Sequence, residues 1–585
     1  MKIFIKKFND LNWKDFSLLF LIGTFIIFHI FLISQTFVVD NLGNIRSTIT
    51  GYGDIPLHLT QITKFAFEKS INLEEPIFYG QLLRYPFLIN LISGLLLRIT
   101  GNFPFSVNFP SFVFSALSIL IIFYIYKAIL KNSFLSYLSL LIFFLGSGFG
   151  GFDYIKNAFE NKLNINEFMS YIIQNHITTV VRFDAKYPSQ NIDFGSPISL
   201  VFLHQRAFFL GLFGFTAYLG SLMLIRHYQK SKLLFIIATC FFGLLPLMHT
   251  HSFIAAGITT LSFLIIALFE KNFSYAKKII MIGIMGGAIA LPQLIYLTGP
   301  KIFGEATNFL VFRLGWMVPT TIGSIVYPPG ELPTVLSSSF LQFLWINFGV
   351  ILPVFIFSIF ILLKNKIIIK SGSIFIFSFA LSGSILFIIV QLIRFQPWDW
   401  DNNKILVYFQ FFAIPLILFT VKIIYSKRKI IGTIILVAFT IISLFSGILD
   451  MIPRIMTPIN SLPIIFEKDS QIMASYIRQY IPEKDLILTG TGHRNLVDSL
   501  AGRSVIIGYP GWLWSRGINY GERESEVRNF YLNPSTNDTL VRKYPIKYIL
   551  LSNQEISDFG ANKFLFDQNF KKVYEIGEFI LYKLD

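Results

Sequence analysis

Residues 104–131 read PFSVNFPSFVFSALSILIIFYIYKAILK, with no charged side chain before Lys127. A bilayer asks a spanning helix for about 20 consecutive apolar residues. The run meets that length and closes on Lys127 and Lys131. Basic residues that follow a span mark its cytoplasmic end. One stretch therefore gives a membrane crossing and its direction, from outside to inside.

Runs of the same kind recur on both sides of it, at 15–37, 132–149, 197–225, 232–249, 250–270, 277–298, 341–363, 372–393, 404–424 and 430–449. The expected fold is thus a polytopic α-helical membrane protein of about 11 spans. Composition agrees. The 585 residues are 54% hydrophobic and 14% charged, where a soluble chain keeps roughly a quarter charged. The formal charge of +16, from 49 basic and 33 acidic residues, is gathered in short clusters at 226–232, 271–278, 364–370 and 422–429. Clusters placed between apolar runs encode topology, so membrane lipids are the expected surroundings and no nucleic acid is. Lys2, Lys6, Lys7 and Lys14 precede a run long enough to span, with no small-residue cleavage site after it. No cleavable signal is expected, and the N-terminus is placed in the cytoplasm. The single Cys240 excludes an intramolecular disulfide and a thiolate metal cluster.

The apolar stretch 86–99 is too short to cross and is read as a re-entrant or interfacial helix. Eleven crossings then leave segments 38–85, 150–196, 299–340 and 394–403 outside, together with everything past 450. In that last part short apolar strands at 486–489, 505–508, 548–552 and 579–583 alternate with helical stretches such as 470–480. Two parts are expected: a transmembrane part over 1–450 and an extracytoplasmic α/β domain over 451–585.

The first outer segment carries Gly51-Tyr-Gly-Asp54-Ile-Pro-Leu-His58, then Asn72-Leu-Glu74-Glu75-Pro and Gly80-Gln-Leu-Leu-Arg84-Tyr85-Pro. Asp54 stands just before Pro56, a helix-opening position, with His58 one turn later on the same face. Two readings stand side by side. Asp54 caps the helix, or it is a base that deprotonates an acceptor at the membrane surface.

A first span, an external loop with Gly-Asp-x-x-x-His, and a Tyr-Pro followed by a short apolar helix resemble the GT-C glycosyltransferases. That superfamily includes protein O-mannosyltransferases and lipid A aminoarabinose transferases. The resemblance covers the first 130 residues or so well and the remaining membrane part in layout. It implies a polyprenyl-phosphate sugar donor, an acidic catalytic residue in the first outer loop, matched here by Asp54 with His58 beside it, and an external domain after the spans. The paired Asp-Glu of the protein O-mannosyltransferases is not found.

Other polar groups sit where spans reach the outer face. His204-Gln-Arg206 opens a span, and Arg206 either holds a phosphate with its planar fork or snorkels to the interface. His249-Thr-His251 lies at a turn between spans. The pair suits hydrogen bonds to sugar or phosphate, with a divalent metal ion the lesser reading because no third ligand stands at metal spacing. Arg394-Phe-Gln-Pro-Trp398-Asp399-Trp-Asp401-Asn-Asn-Lys404 alternates indoles and carboxylates at the mouth of the bundle. It is either an aromatic belt or a surface that stacks sugar on Trp and pairs phosphate with Arg394 or Lys404. Arg313-Leu-Gly-Trp316 is a weaker companion. Glu74, Glu75, Arg84 and Tyr85 complete the expected donor-binding set. In the C-terminal part, Thr489-Gly-Thr-Gly-His493-Arg494 reads as a turn, and Gly508-Tyr-Pro-Gly-Trp512-Leu-Trp514-Ser-Arg516 as a cover, an acceptor site or a packed core.

The expected function is a membrane glycosyltransferase that moves a sugar from a lipid-linked donor to an extracytoplasmic acceptor, whether glycan, lipid or protein. The alternative is a secondary transporter of a small polar solute or lipid-linked saccharide. Transporters concentrate charge at mid-membrane and show inverted repeats, whereas charge here gathers at the outer rim on long loops. A surface assembly protein ranks last, since anchoring needs far fewer spans. A reporter fused after Asp585 should respond outside the cytoplasm. Activity of that fusion only in the cytoplasm would reverse the topology.

Overall fold

Backbone N–H and C=O groups have no water to bond in lipid, so a span must close its hydrogen bonds internally or on its neighbours. The computed structural model, described over residues 13–48, 51–174, 194–299, 311–312, 321–322, 325–326, 338–364, 374–396 and 399–584, meets this condition with helices. In chain order they are α1 (Trp13–Ser34), α2 (Ile55–Phe67), α3 (Leu88–Thr100), α4 (Phe103–Leu130), α5 (Ser133–Leu145), α6 (Gly150–Glu160), α7 (Ile165–Gln174), α8 (Arg206–Ile225), α9 (Lys232–Met248), α10 (Thr250–Phe269), α11 (Phe273–Thr298), α12 (Ser338–Phe348), α13 (Ile351–Lys364), α14 (Ile374–Leu392), α15 (Asn403–Lys427) and α16 (Lys429–Met456).

Among the described residues seven helices are long and apolar enough to cross a membrane: α4, α8, α10, α11, α14, α15 with its preceding turn, and α16. Shorter apolar helices include α3, α5, α9 and α13. The stretch expected to be a short helix at 86–99 is α3. Three expected spans are interrupted: 341–363, 132–149 and, beside the site, 197–225. The run 341–363 divides between α12 and α13 at Gly349, whose φ of +50° is the left-handed conformation that suits glycine. The break brings Gly349 against Gly148, and a side chain on Gly148 would collide with the carbonyls of Ile346 and Asn347. The run 132–149 stops being helical at Leu145. The end of α5 is closed by Gln410 of α15, whose Nε2 donates to Ile142 O at 3.1 Å, Phe143 O at 3.1 Å and Gly146 O at 2.9 Å. Ser446 of α16 continues the seam, donating to Gly148 O and accepting from Gly151 N.

α15 is the axis of the bundle. Ile405 through Leu418 are buried along their whole length, and Tyr126 of α4 donates to Phe411 O at 2.9 Å. Turns between helices open on short polar caps: Asn102, Asn132, Ser231 and Asn272 each accept a backbone N–H of the following turn.

The C-terminal part is α/β as expected. Strands β6 (Leu486–Leu488), β7 (Ile546–Leu551), β8 (Lys571–Ile576) and β9 (Phe579–Lys583) form a sheet in the order β8-β9-β7-β6. The β6–β7 pair is parallel and the other two pairs are antiparallel. The run 505–508 does not join this sheet. Val505 N donates to Pro76 O, Gly508 N to Ile77 O, and Tyr79 N to Val505 O. Strand β8 escaped the sequence reading because its Lys-Lys-Val-Tyr-Glu-Ile is a charged edge strand.

The loop between α1 and α3 belongs structurally with this C-terminal part. Strands β1 (Val38–Val39) and β2 (Ile45–Arg46) pair with one another, and β2 pairs with β5 (Ile464–Phe466), Ile45 facing Phe466. Arg46 bonds Asp40 at 2.6 Å and Leu462 O at 2.6 Å. Twelve of the thirteen residues of α2 are buried, between α3 on one side and residues 496–502 on the other. Thr63 Oγ1 donates to Asp498 O at 3.1 Å and Ser499 Oγ to Pro56 O at 3.4 Å. On the α3 side, a Cβ on Gly94 would stand 2.6 Å from Phe65 Cβ and 2.8 Å from Ile62 O. Gly94→Leu should therefore push α2 off α3, lowering stability by about 1–3 kcal/mol as overpacking does. Thermal unfolding in detergent checks this; a Gly94→Leu midpoint equal to the parent's would refute the tight contact.

Candidate functional site

Pro56 in the first turn of α2 has no N–H to satisfy, which fixes the helix start at Asp54. Asp54 holds the N-cap position, yet its side chain makes no capping bond. The capping reading of this residue is thereby corrected. Its Oδ2 instead accepts a hydrogen bond from Gln205 Nε2 at 2.7 Å. Gln205 is free to reach it because the run 197–225 is not one helix: a π-helical turn over Ile198–Phe202 ends before α8 begins at Arg206. Burial raises the Asp54 carboxyl to about 6, Lys404 and the Gln205 bond opposing the rise and Asp401 adding to it.

Lys404 and Asp401 form an ion pair at 3.0 Å at the opening of α15. In the turn just before α15, the Trp400 indole stacks on His204 with centroids 5.9 Å apart and planes within 7°. The segments 204–206 and 399–404 thus meet face to face beside Asp54. His249 caps α10 by accepting from Ser252 N, and its Nδ1 lies 2.8 Å from Ser252 Oγ. Its ring is 5.3 Å from that of His251, and the Nε2 atoms of both are buried without a protein partner. Among the described residues no three His, Cys, Asp or Glu side chains are grouped to hold a metal ion.

His58 faces inward from α2. Its Nδ1 lies 3.0 Å from Asn90 Nδ2, and the same amide donates to Gln61 Oε1 at 2.8 Å. Burial, with the cations of Arg206, Arg516 and Lys404 and the ring of His204 nearby, holds the His58 ring neutral, well below the ordinary histidine range. Arg206 is 3% exposed. Its Nη2 donates to Ser93 Oγ at 2.6 Å, its Nε faces Asn90 Oδ1 at 3.4 Å, and its Nη1 donates to Val107 O. The fork that the sequence offered to phosphate is engaged with α3 and α4.

Tyr85 joins the same place from the first loop, its ring edge 6.1 Å from His58. The Arg516 guanidinium lies 4.9 Å over that ring and donates to Glu75 Oε2 at 2.7 Å, both side chains buried. Glu75 thus borders the site through Arg516. Glu74 points elsewhere, to Lys64 at 3.7 Å and Ser504 at 3.5 Å. The Arg84 guanidinium crosses Gly299, where a side chain would collide with it. Arg394 is in the short strand paired with Val311, and Asn402 closes that loop by bonding Phe395 N and Ile393 O. Trp398 and Arg313-Leu-Gly-Trp316 lie outside the described residues, and of Asp399 only the backbone turn is described.

The structure thus gathers Asp54, His58, Tyr85, His204, Arg206, His249, His251, Asp401 and Lys404 at one end of the bundle. Sequence reasoning did not single out Gln205 and Asn90 as site residues, and it took Trp400 and Arg516 only as members of their aromatic segments. Asn90 had a signal, since a lone amide in an apolar helix needs a partner. Gln205 had none beyond its charged neighbours.

No family model matches the chain, and no curated protein matches it by sequence. Solved structures do. An oligosaccharyltransferase from Archaeoglobus fulgidus, AglB, solved with an inhibitory peptide and a dolichol-phosphate, aligns at a TM-score of 0.51 and 10% identity over 98% of this chain and 75% of that one. A second A. fulgidus oligosaccharyltransferase structure, in complex with Zn and sulfate, gives 0.50 and 11% over 96% and 73%. ArnT from Cupriavidus metallidurans, bound to undecaprenyl phosphate, gives 0.49 and 7% over 97% and 98%. The likeness shows a fold shared with these oligosaccharyltransferases: a bundle of helices long and apolar enough to cross a membrane, followed by an α/β C-terminal part.

The bonding of Arg206 generates a test. Arg206→Met removes three donors from buried acceptors, and each orphaned group costs about 1–3 kcal/mol. The thermal midpoint in detergent should fall by several degrees. An unchanged midpoint with lost substrate binding would return Arg206 to the role of phosphate holder.

Proposed function

We propose that the chain is a membrane glycosyltransferase that takes a sugar from a polyprenyl-phosphate donor and gives it to an extracytoplasmic acceptor. Residues 1–450 supply the reacting groups and residues 451–585 form the cover on the extracytoplasmic side. The observation that carries the reading is Asp54: a carboxyl raised to about 6, half-buried, uncapping, and held by Gln205 beside the Lys404–Asp401 pair. A base works best with a pKa near the operating pH, and burial brings this one there. The AglB structure that shares the fold was solved with a dolichol-phosphate, which supports a donor of that class.

In the proposed step the acceptor's O–H or N–H proton passes to Asp54 as its oxygen or nitrogen attacks the anomeric carbon. The bond from that carbon to the lipid phosphate oxygen breaks, and the electron pair leaves on the phosphate. Lys404, held in place by Asp401, supplies a cation for the departing charge. Trp400, His204, His249 and His251 line the same mouth, with Arg394 and Asp399 on its loop. Their rings and N–H groups suit a sugar's C–H faces and hydroxyls. Arg206, Asn90 and neutral His58 fix the wall against which α2 is held, and Glu75, Arg84 and Tyr85 flank it.

The test is Asp54→Asn in a lipid-extract assay against a panel of polyprenyl-phosphate sugars. Turnover should fall about 10²- to 10⁴-fold, the range of a general base. The parent's turnover should decline as pH falls below about 6, because protonation of Asp54 removes the base. Burial that raises a carboxyl favours its neutral form, so folding stability from this group is lost as pH rises through about 6. Near pH 7.5 the neutral Asn variant should unfold at no lower temperature than the parent. Near-parental turnover of Asp54→Asn, or solute uptake into proteoliposomes without consumption of lipid-linked sugar, would overturn the reading.

A further inference from the structure

The C-terminal part sends a ring into the turn that carries Asp54. His493, in the loop after β6, stacks on Tyr52 with planes within 14° and centroids 6.1 Å apart. The backbone of Gly53 lies beside the same ring. Trp512 and Tyr509 close the far side, their centroids each 4.8 Å from His493. They are 5.3 Å from one another. The Arg494 guanidinium lies 5.2 Å over Tyr52. Tyr52 and Gly53 are the two residues immediately before Asp54. No covalent constraint holds that turn, and residues 49–50 before it lie outside the described residues.

We propose that His493 is a positioning residue: clamped between Tyr52 and Trp512, it fixes the 51–54 turn and so aims the Asp54 carboxyl at Gln205. The inference rests on the reading of Asp54 as the reacting base, and it gives the C-terminal part a share in that site. The face that His493 lays on Tyr52, backed by Trp512 and Tyr509, sets the direction of the turn and its cover against water. The titratable groups that face Asp54 are Lys404 and Asp401 from α15 and Tyr85 from the first loop. Those that face His493 are Arg494, Tyr52 and Tyr509.

Carbodiimide labelling of Asp54 in the full-length protein without substrate tests this, with the Asp54-bearing peptide followed by mass spectrometry across pH and Asp54→Asn as the blank. The parent should label with a midpoint near 6. His493→Ala should label faster with a midpoint displaced toward the ordinary carboxylate range. Its kcat should drop by about 10-fold or more, as small misplacements of a reacting group do, with donor KM little changed. His493→Phe, which restores a face between Tyr52 and Trp512, should recover most of the midpoint. If His493→Ala fails to fold, Tyr52→Leu carries the same comparison. An unmoved midpoint in the folded variants overturns the clamp whatever their turnover. A moved midpoint alongside a fully active Asp54→Asn leaves the clamp standing and overturns the assignment of Asp54 as base.

Discussion

A carboxyl beside an aqueous phase is raised toward neutral pH only when protein, rather than water, surrounds it. Around Asp54 that surrounding has three independent sources: Gln205 ahead of α8, the Trp400 turn with the opening of α15, and the C-terminal part behind Tyr52. Removing any of the three would readmit water. The arrangement of the site follows from this requirement. α2 is short because it runs across the end of the bundle, and it is buried on nearly every side because it is wedged between membrane helices and a folded cover.

The same demand for internal satisfaction governs the bundle. α5 ends after 13 residues inside apolar surroundings, and its last carbonyls would be orphaned there. Gln410 meets several of them from the central helix, and the small residues Gly148, Ser446 and Gly447 let the chains approach closely enough for the seam to close. Arg206 plays the corresponding part nearer the site, binding α3 to α4 through Ser93 and Val107. Polar side chains that look functional in a hydropathy profile are in several places structural bonds between helices. The distinction lies in what their donors touch.

Much of the fold was legible because lipid imposes a length and a polarity on each span. The run before Lys127 declared itself, as did the short helix at 86–99 and the alternation of strands and helices after 450. What was not legible depended on partners distant in sequence. Nothing in 132–149 announces that Gln410 will end its helix at Leu145, and nothing in 505–508 says that it will bond Pro76 and Ile77 rather than join a sheet. At the site, Asp54 and its neighbour His58 could be found from a helix-opening pattern. That Asp54 does not cap its helix needed the position of Gln205, which holds its carboxyl. Arg206 was identified as important for its charge, while its use was set by Asn90, Ser93 and Val107.

The little sheet of β1, β2 and β5 joins chain segments separated by more than four hundred residues, Arg46 reaching Leu462 across 416 positions. A ribosome releases the first of these segments long before the second exists. Until residues 462–466 and the chain after them emerge, the loop bearing Asp54 has neither its third strand nor its aromatic cover. Membrane helices can insert and pack in the meantime, since α4, α5, α15 and α16 all precede that segment in the chain. The end of the bundle that carries Asp54 is therefore completed last, and a truncated nascent chain lacks the cover over it. Synthesis itself enforces the order in which this molecule becomes competent.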